Sequence, residues 1–106
     1  ADRLELTRLC FVRVDGLRRP EAPLFILSAA SEHGEQAQRT HDVRVAYNAM
    51  CRDFCEATKN THFIDVDALL RPEEFVDSDH YTRTGYFKIA EFVNSFSNTP
   101  VQEKAA

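Results

Sequence analysis

Leu24-Phe-Ile-Leu27 is a run of four consecutive apolar residues, with Pro23 before it and a polar loop, Ser28 to Arg39, after it. A short unbroken apolar run reads as a β-strand buried on both faces, the pattern of a parallel sheet covered by helices. The next segment agrees. Val43, Ala46, Tyr47, Met50, Phe54 and Ala57 recur at i, i+3, i+4 and i+7, which predicts an amphipathic helix buried along that stripe. Thr40 suits its N-cap, and Asp42 in the first turn complements the helix dipole. Arg44, Arg52, Glu56 and Lys59 fall off the stripe, as do Cys55 and, at its edge, Cys51. Asn60 ends the helix, and Thr61-His-Phe-Ile-Asp-Val66 predicts a second short strand. Strand, helix, strand implies a right-handed crossover and parallel pairing. The expected fold class is α/β.

On the N-terminal side, Leu6, Cys10, Val14 and Leu17, with Leu9 alongside, recur at helical spacing over residues 2–17. Cys10, Val12 and Val14 also alternate up to Asp15-Gly16, the pattern of a strand and hairpin; the helix is the preferred reading. Arg18-Arg-Pro-Glu-Ala-Pro23 breaks regular structure with two prolines. After the second strand, Asp67 to Leu70 and Pro72 to Phe75 predict a short helical excursion, with Pro72 at a first helical position. A last helix, capped by Thr82, carries Tyr86, Ile89, Ala90, Val93 and Phe96 as its expected buried stripe. Gly85 in its first turn has no helical advantage, so it marks a place where a side chain would crowd the neighbouring strand or the preceding loop. Beyond Asn98-Thr-Pro100 the polar tail is expected to fray.

A chain of 106 residues makes one domain at most, large enough for a real core. Hydrophobic residues at 43% and charged ones at 28% suit a soluble globular protein. The net charge of −4 argues against nucleic acid as a partner, because the arginines from Arg3 to Arg19 alternate with acids and form no basic face. No run approaches the roughly 18 apolar residues of a membrane span, and no signal-peptide pattern opens the sequence, which leaves the compartment open. Three cysteines, none in Cys-x-x-Cys, point away from a disulfide framework and from a thiolate zinc site. No cofactor is expected.

The chemistry concentrates at Phe75-Val-Asp-Ser-Asp-His80. Two residues separate Asp77 from His80, so a tight turn can fold the carboxylate onto one ring nitrogen and leave the other facing outward. That is the orienting half of a nucleophile–His–Asp triad, in which the acid fixes the tautomer and stabilises the imidazolium. An imidazole, with an ordinary pKa of about 6.5, can take a serine's proton and return it to a leaving alcohol at neutral pH. Asp79 is the rival acid, but in an extended segment its side chain points away from that of His80, so Asp77 is preferred. Asp77, Asp79 and His80 could instead hold a divalent ion, without a second ligand cluster to support it. Ser28, at a strand end, lacks the Gly-x-Ser-x-Gly elbow of an exposed nucleophile and reads as structural. His41 reads as a helix-start residue and His62 as a structural residue at a strand edge.

Asp-x-x-His, followed five residues later by Gly85 and then a terminal amphipathic helix, resembles the last conserved block of the SGNH (GDSL-type) hydrolases. An apolar strand within Ala22 to Ala30, a helix with Arg44 and Tyr47-Asn48, and a strand at Phe63-Ile-Asp-Val66 come in the order of that fold's C-terminal half. The resemblance implies a partial three-layer α/β/α domain over residues 1–106, flavodoxin-like, with a parallel sheet. It implies Asp77 and His80 as triad acid and base, acting on an acyl ester of a lipid, carbohydrate or small molecule by hydrolysis or acyl transfer. The family's Gly-Asp-Ser block, its oxyanion-hole Gly and its Gly-x-Asn-Asp block have no counterpart here, and Tyr81 stands where members often carry Pro. The nucleophilic serine would then come from an N-terminal segment or a companion chain. The alternative is a non-catalytic α/β module for binding or assembly.

Overall fold

Leu24–Leu27 forms strand β1 and pairs in parallel with β2, Thr61–Ile64, placing Leu24 opposite Thr61 and Leu27 opposite Ile64. The computed structural model describes residues 2–30, 41–77 and 80–105, with the side chains of the last helix as far as Phe96. Around the two strands stand α1 (Arg3–Leu17), α2 (His41–Ala57), α3 (Val66–Leu69), a 3₁₀ turn (Pro72–Glu74) and α4 (Arg83–Ala105). The protein is therefore mixed α/β, mostly helical, with a two-stranded parallel sheet among the described residues.

Alternation along the strands sorts the helices. Phe25 and His62 share one face, and Phe96 of α4 stacks against both, at 5.8 and 4.5 Å between ring centroids. Phe63 lies on the other face beneath the Arg52 guanidinium of α2, 4.8 Å from its ring. Ala30, Ile64 and Val66 are fully buried at the centre, and Phe25, Leu27, Phe75, Ile89, Phe92 and Val93 pack around them.

The helix α2 forms as its periodicity predicts, but it is rotated. Val43, Ala46 and Ala57 of the expected buried stripe are exposed, whereas Cys51 is completely buried and Arg44, placed off the stripe, is 8% exposed. The reason lies on both sides of the helix. Its apolar stripe faces α1, where Phe54 meets Phe11 at 5.6 Å and Ala46, Ala49, Met50 and Ala57 line a cleft with Leu4. The face turned to the strands must satisfy backbone groups at the end of β1, which apolar side chains cannot do. Asn48 accepts the Ala29 amide at 2.8 Å and donates to the Ala29 carbonyl at 3.2 Å. Tyr47 donates to the Leu27 carbonyl.

Helix α1 likewise forms, capped by the Asp2 carboxylate, which accepts the Glu5 amide, yet its expected stripe points to solvent. Leu6, Leu9, Val14 and Leu17 are exposed, and Phe11 with Leu4 makes the contact to α2 instead. At its end Arg18 turns extended and clamps the far end of the crossover. Its guanidinium donates to the carbonyls of Ala22, Lys59 and Asn60, to the Thr61 hydroxyl, and to Asp15.

The strand β2 stops at Ile64, two residues short of the predicted Val66, because the Asp65 side chain accepts the Asp67 amide and starts α3. Pro72 takes its helical first position, in the 3₁₀ turn. Thr82 caps α4 by accepting the Gly85 amide at 3.2 Å. Tyr86, expected inside, is 52% exposed, and Ala90 is exposed too; Ile89, Phe92, Val93 and Phe96 carry the inward face. The helix also runs on to Ala105, through the tail expected to fray beyond Pro100. Thr40 and the loop 31–40 lie outside the described residues.

Candidate functional site

Between the 3₁₀ turn and α4 the chain doubles back, and residues 74–77 and 80–82 are laced together. At the base the Thr82 amide donates to the Glu74 carbonyl at 2.8 Å. One residue further in, Phe75 and Tyr81 form an antiparallel bridge and their rings meet edge-on at 5.6 Å. The His80 carbonyl then accepts the amides of Val76, at 2.8 Å, and Asp77, at 3.3 Å. These bonds bring residue 77 back beside residue 80. The Asp77 Oδ1 sits 2.8 Å from His80 Nδ1, and both side chains are open to solvent, His80 67% and Asp77 49% exposed. An exposed pair of this kind adds only about 0–1 kcal/mol to stability. It orients a ring far more than it holds the fold together.

The loop is fastened to the body by a buried acid that sequence reading passed over. The Glu74 carboxylate, 7% exposed, accepts the Arg71 amide at 2.7 Å and the Lys88 ammonium at 2.8 Å. These two contacts, the Arg71 amide first, hold its carboxyl below the usual carboxylate range. Gly85 sits directly under the loop: a Cβ there would meet the Glu74 carbonyl oxygen at 2.9 Å and Tyr81 Cβ at 3.1 Å. The crowding expected at Gly85 is present, and the neighbour is the loop that carries His80. Glu74 is legible only as an acid in a first turn, and its pairing with Lys88, fourteen residues on, has no local signature.

Ser28 is 5% exposed, and its hydroxyl accepts the Val66 amide at 2.9 Å while its own amide donates to the Ile64 carbonyl. It joins β1 to the start of α3, the structural role expected of it. Burial, then contact with the Cys51 thiol, pushes the Tyr47 hydroxyl well above the ordinary tyrosine range, and the Tyr81 phenol adds to this. Cys51 and Cys55 are likewise raised by burial, Cys55 to about 11. Cys55, expected toward solvent, is in fact half-buried between α2 and β2.

His62 packs in a three-ring cluster with Phe25 and Phe96. His41 opens α2. Asp79 and His33 lie outside the described residues, and among those described no three His, Cys, Asp or Glu side chains gather to hold a metal ion. No helix among them is long and apolar enough to cross a membrane.

The arrangement can therefore present an imidazole whose Nδ1 is tied to a carboxylate, on a loop pinned at both sides. Compared with family models, with curated proteins and with solved structures, the chain matches none.

Proposed function

We propose that this chain supplies the acid–base half of an SGNH-type ester hydrolase or acyl transferase, with Asp77 orienting His80. The observation that carries the reading is the 2.8 Å contact between Asp77 Oδ1 and His80 Nδ1. With Nδ1 donating to the carboxylate, Nε2 is the basic nitrogen. It takes the proton of a serine hydroxyl as the oxygen attacks an acyl ester, and gives it to the leaving alcohol as the tetrahedral intermediate collapses. The nucleophile comes from outside the described residues, since Ser28 is buried with its hydroxyl engaged and Ser95 donates its hydroxyl to the Phe92 carbonyl of its own helix. In this reading β1, β2 and their helices are part of a three-layer, flavodoxin-like domain whose sheet continues beyond β1. The run Leu24–Leu27 supports it, being apolar on both faces as an interior strand is.

The test is turnover of a short-chain nitrophenyl ester by the protein as isolated from its source, beside His80→Ala. The proposal expects turnover that falls by about 10³-fold or more in the variant. Turnover unchanged in His80→Ala would refute it.

A second reading is a non-catalytic α/β binding or assembly module. The engaged, buried Ser28 favours it, because the one strand-end serine described has no freedom to attack.

A further inference from the structure

Helix α4 leaves His80 carrying two different surfaces. Its inward face holds Ile89, Phe92 and Val93 against the core. On its outer side Tyr81, Arg83, Tyr86, Phe87 and Ala90 line an open groove of about 560 Å³, within the size range of small-ligand sites. Tyr86 and Phe87 are 52% and 57% exposed, an unusual cost for two large aromatic side chains on one turn. The walls are ordered by ring contacts. Tyr81 meets Tyr86 edge-on at 5.2 Å, and the Arg83 guanidinium lies 5.8 Å from the Phe87 ring centroid. Among the described residues Arg83 forms no salt bridge, unlike Arg8, Arg18, Arg52 and Lys88. The nearest described acid in sequence, Asp77, is engaged by His80.

We propose that this groove binds a small molecule with an aromatic body and one carboxylate. The ring stacks against Tyr86 and Phe87, and the carboxylate takes paired N–H bonds from the Arg83 guanidinium, whose planar fork matches two carboxylate oxygens. Both halves of the ligand answer something on the surface: the aromatic body covers exposed rings, and the anion pairs with the cation standing among them. A neutral apolar ligand would leave Arg83 unused, and a bare anion would leave the rings wet. The site stands on its own residues and needs no proton transfer by His80.

The experiment is an amide chemical-shift titration of the chain with 2-naphthoate, repeated with the neutral 2-naphthamide and with Arg83→Gln and Phe87→Ala. Both substitutions are at exposed positions, and far-UV circular dichroism checks that the variants fold. Saturable shifts centred on Arg83, Tyr86, Phe87 and Ala90 are expected, with affinity about tenfold weaker for the amide and for each variant. His80→Ala should bind as the parent does, so loss of ester turnover and loss of binding are separable results. Shifts that do not saturate, that centre elsewhere, or that are equal for naphthamide or for Arg83→Gln would overturn the assignment.

Discussion

Replacing Gly85 by alanine sets two opposing effects against each other. In an open helix the change gains about 1 kcal/mol, because alanine loses less backbone freedom and shields the helix. Here the new Cβ would lie 2.9 Å from the Glu74 carbonyl oxygen, 3.1 Å from Tyr81 Cβ and 3.4 Å from Leu70 Cδ1. The first two cannot simply swing away, and the third is an ordinary contact. The carbonyl accepts the Thr82 amide, Glu74 is tied to Arg71 and Lys88, and Tyr81 is paired with Phe75. Overpacking against such neighbours costs about 1–3 kcal/mol, so the net expectation is a loss of about 1 kcal/mol. For a chain of this size that lowers Tm by about 4 °C. The same substitution at Gly16, with nothing within 4 Å of its Cβ, provides the opposite case and should raise Tm. Thermal unfolding followed by far-UV circular dichroism reads both. A Gly85→Ala protein as stable as Gly16→Ala would refute the claim that the helix and the His80 loop are in close contact.

Arg18→Ala should cost about 3 kcal/mol in urea unfolding, since it removes the charged donor shared by three carbonyls and the Thr61 hydroxyl. Ser28→Ala should cost about 1–3 kcal/mol by leaving the buried Val66 amide without its acceptor, and should leave ester turnover per folded molecule unchanged. Glu74 has a folded pKa below its ordinary value near 4.5. Its contribution to stability is therefore complete above that pH and is lost as pH falls through the folded value, an acid sensitivity that Glu74→Gln should flatten in pH-dependent melting. Alkylation followed by mass spectrometry at mildly alkaline pH should modify exposed Cys10 first. Cys51 is buried and half-buried Cys55 is raised to about 11, so both should lag; modification of Cys55 as early as Cys10 would contradict that.

The element types were legible because they rest on local pattern: the apolar run of β1, the periodicities of α1, α2 and α4, Pro72 opening its turn. The inward face was legible in α4, where Ile89, Val93 and Phe96 point to the core as expected, but not in α1 or α2. In α2 hydrophobic periodicity pointed at α1, while Tyr47 and Asn48 bond the backbone at the end of β1 and Arg44 and Cys51 are the residues it buries. In α1 two apolar faces compete, and only contact with Phe54 selects the one bearing Phe11. At the site, Asp77 and His80 are three residues apart and so leave a local trace. The contact that fastens their loop to α4, Glu74 with Lys88, joins residues fourteen apart and leaves none. Gly85 was the exception, a residue whose poor fit to a helix announced a long-range contact.

The most direct measurement is the tautomer of His80, read by long-range ¹H–¹⁵N correlation above the ring's pKa in the parent chain and in Asp77→Ala. If Asp77 holds the ring as the 2.8 Å contact implies, Nδ1 carries the proton and Nε2 is the bare, basic nitrogen in the parent. That preference should disappear when the carboxylate is removed. A parent ring protonated on Nε2, or the same tautomer in both proteins, would mean that Asp77 does not orient His80, and the acid–base reading would fall with it.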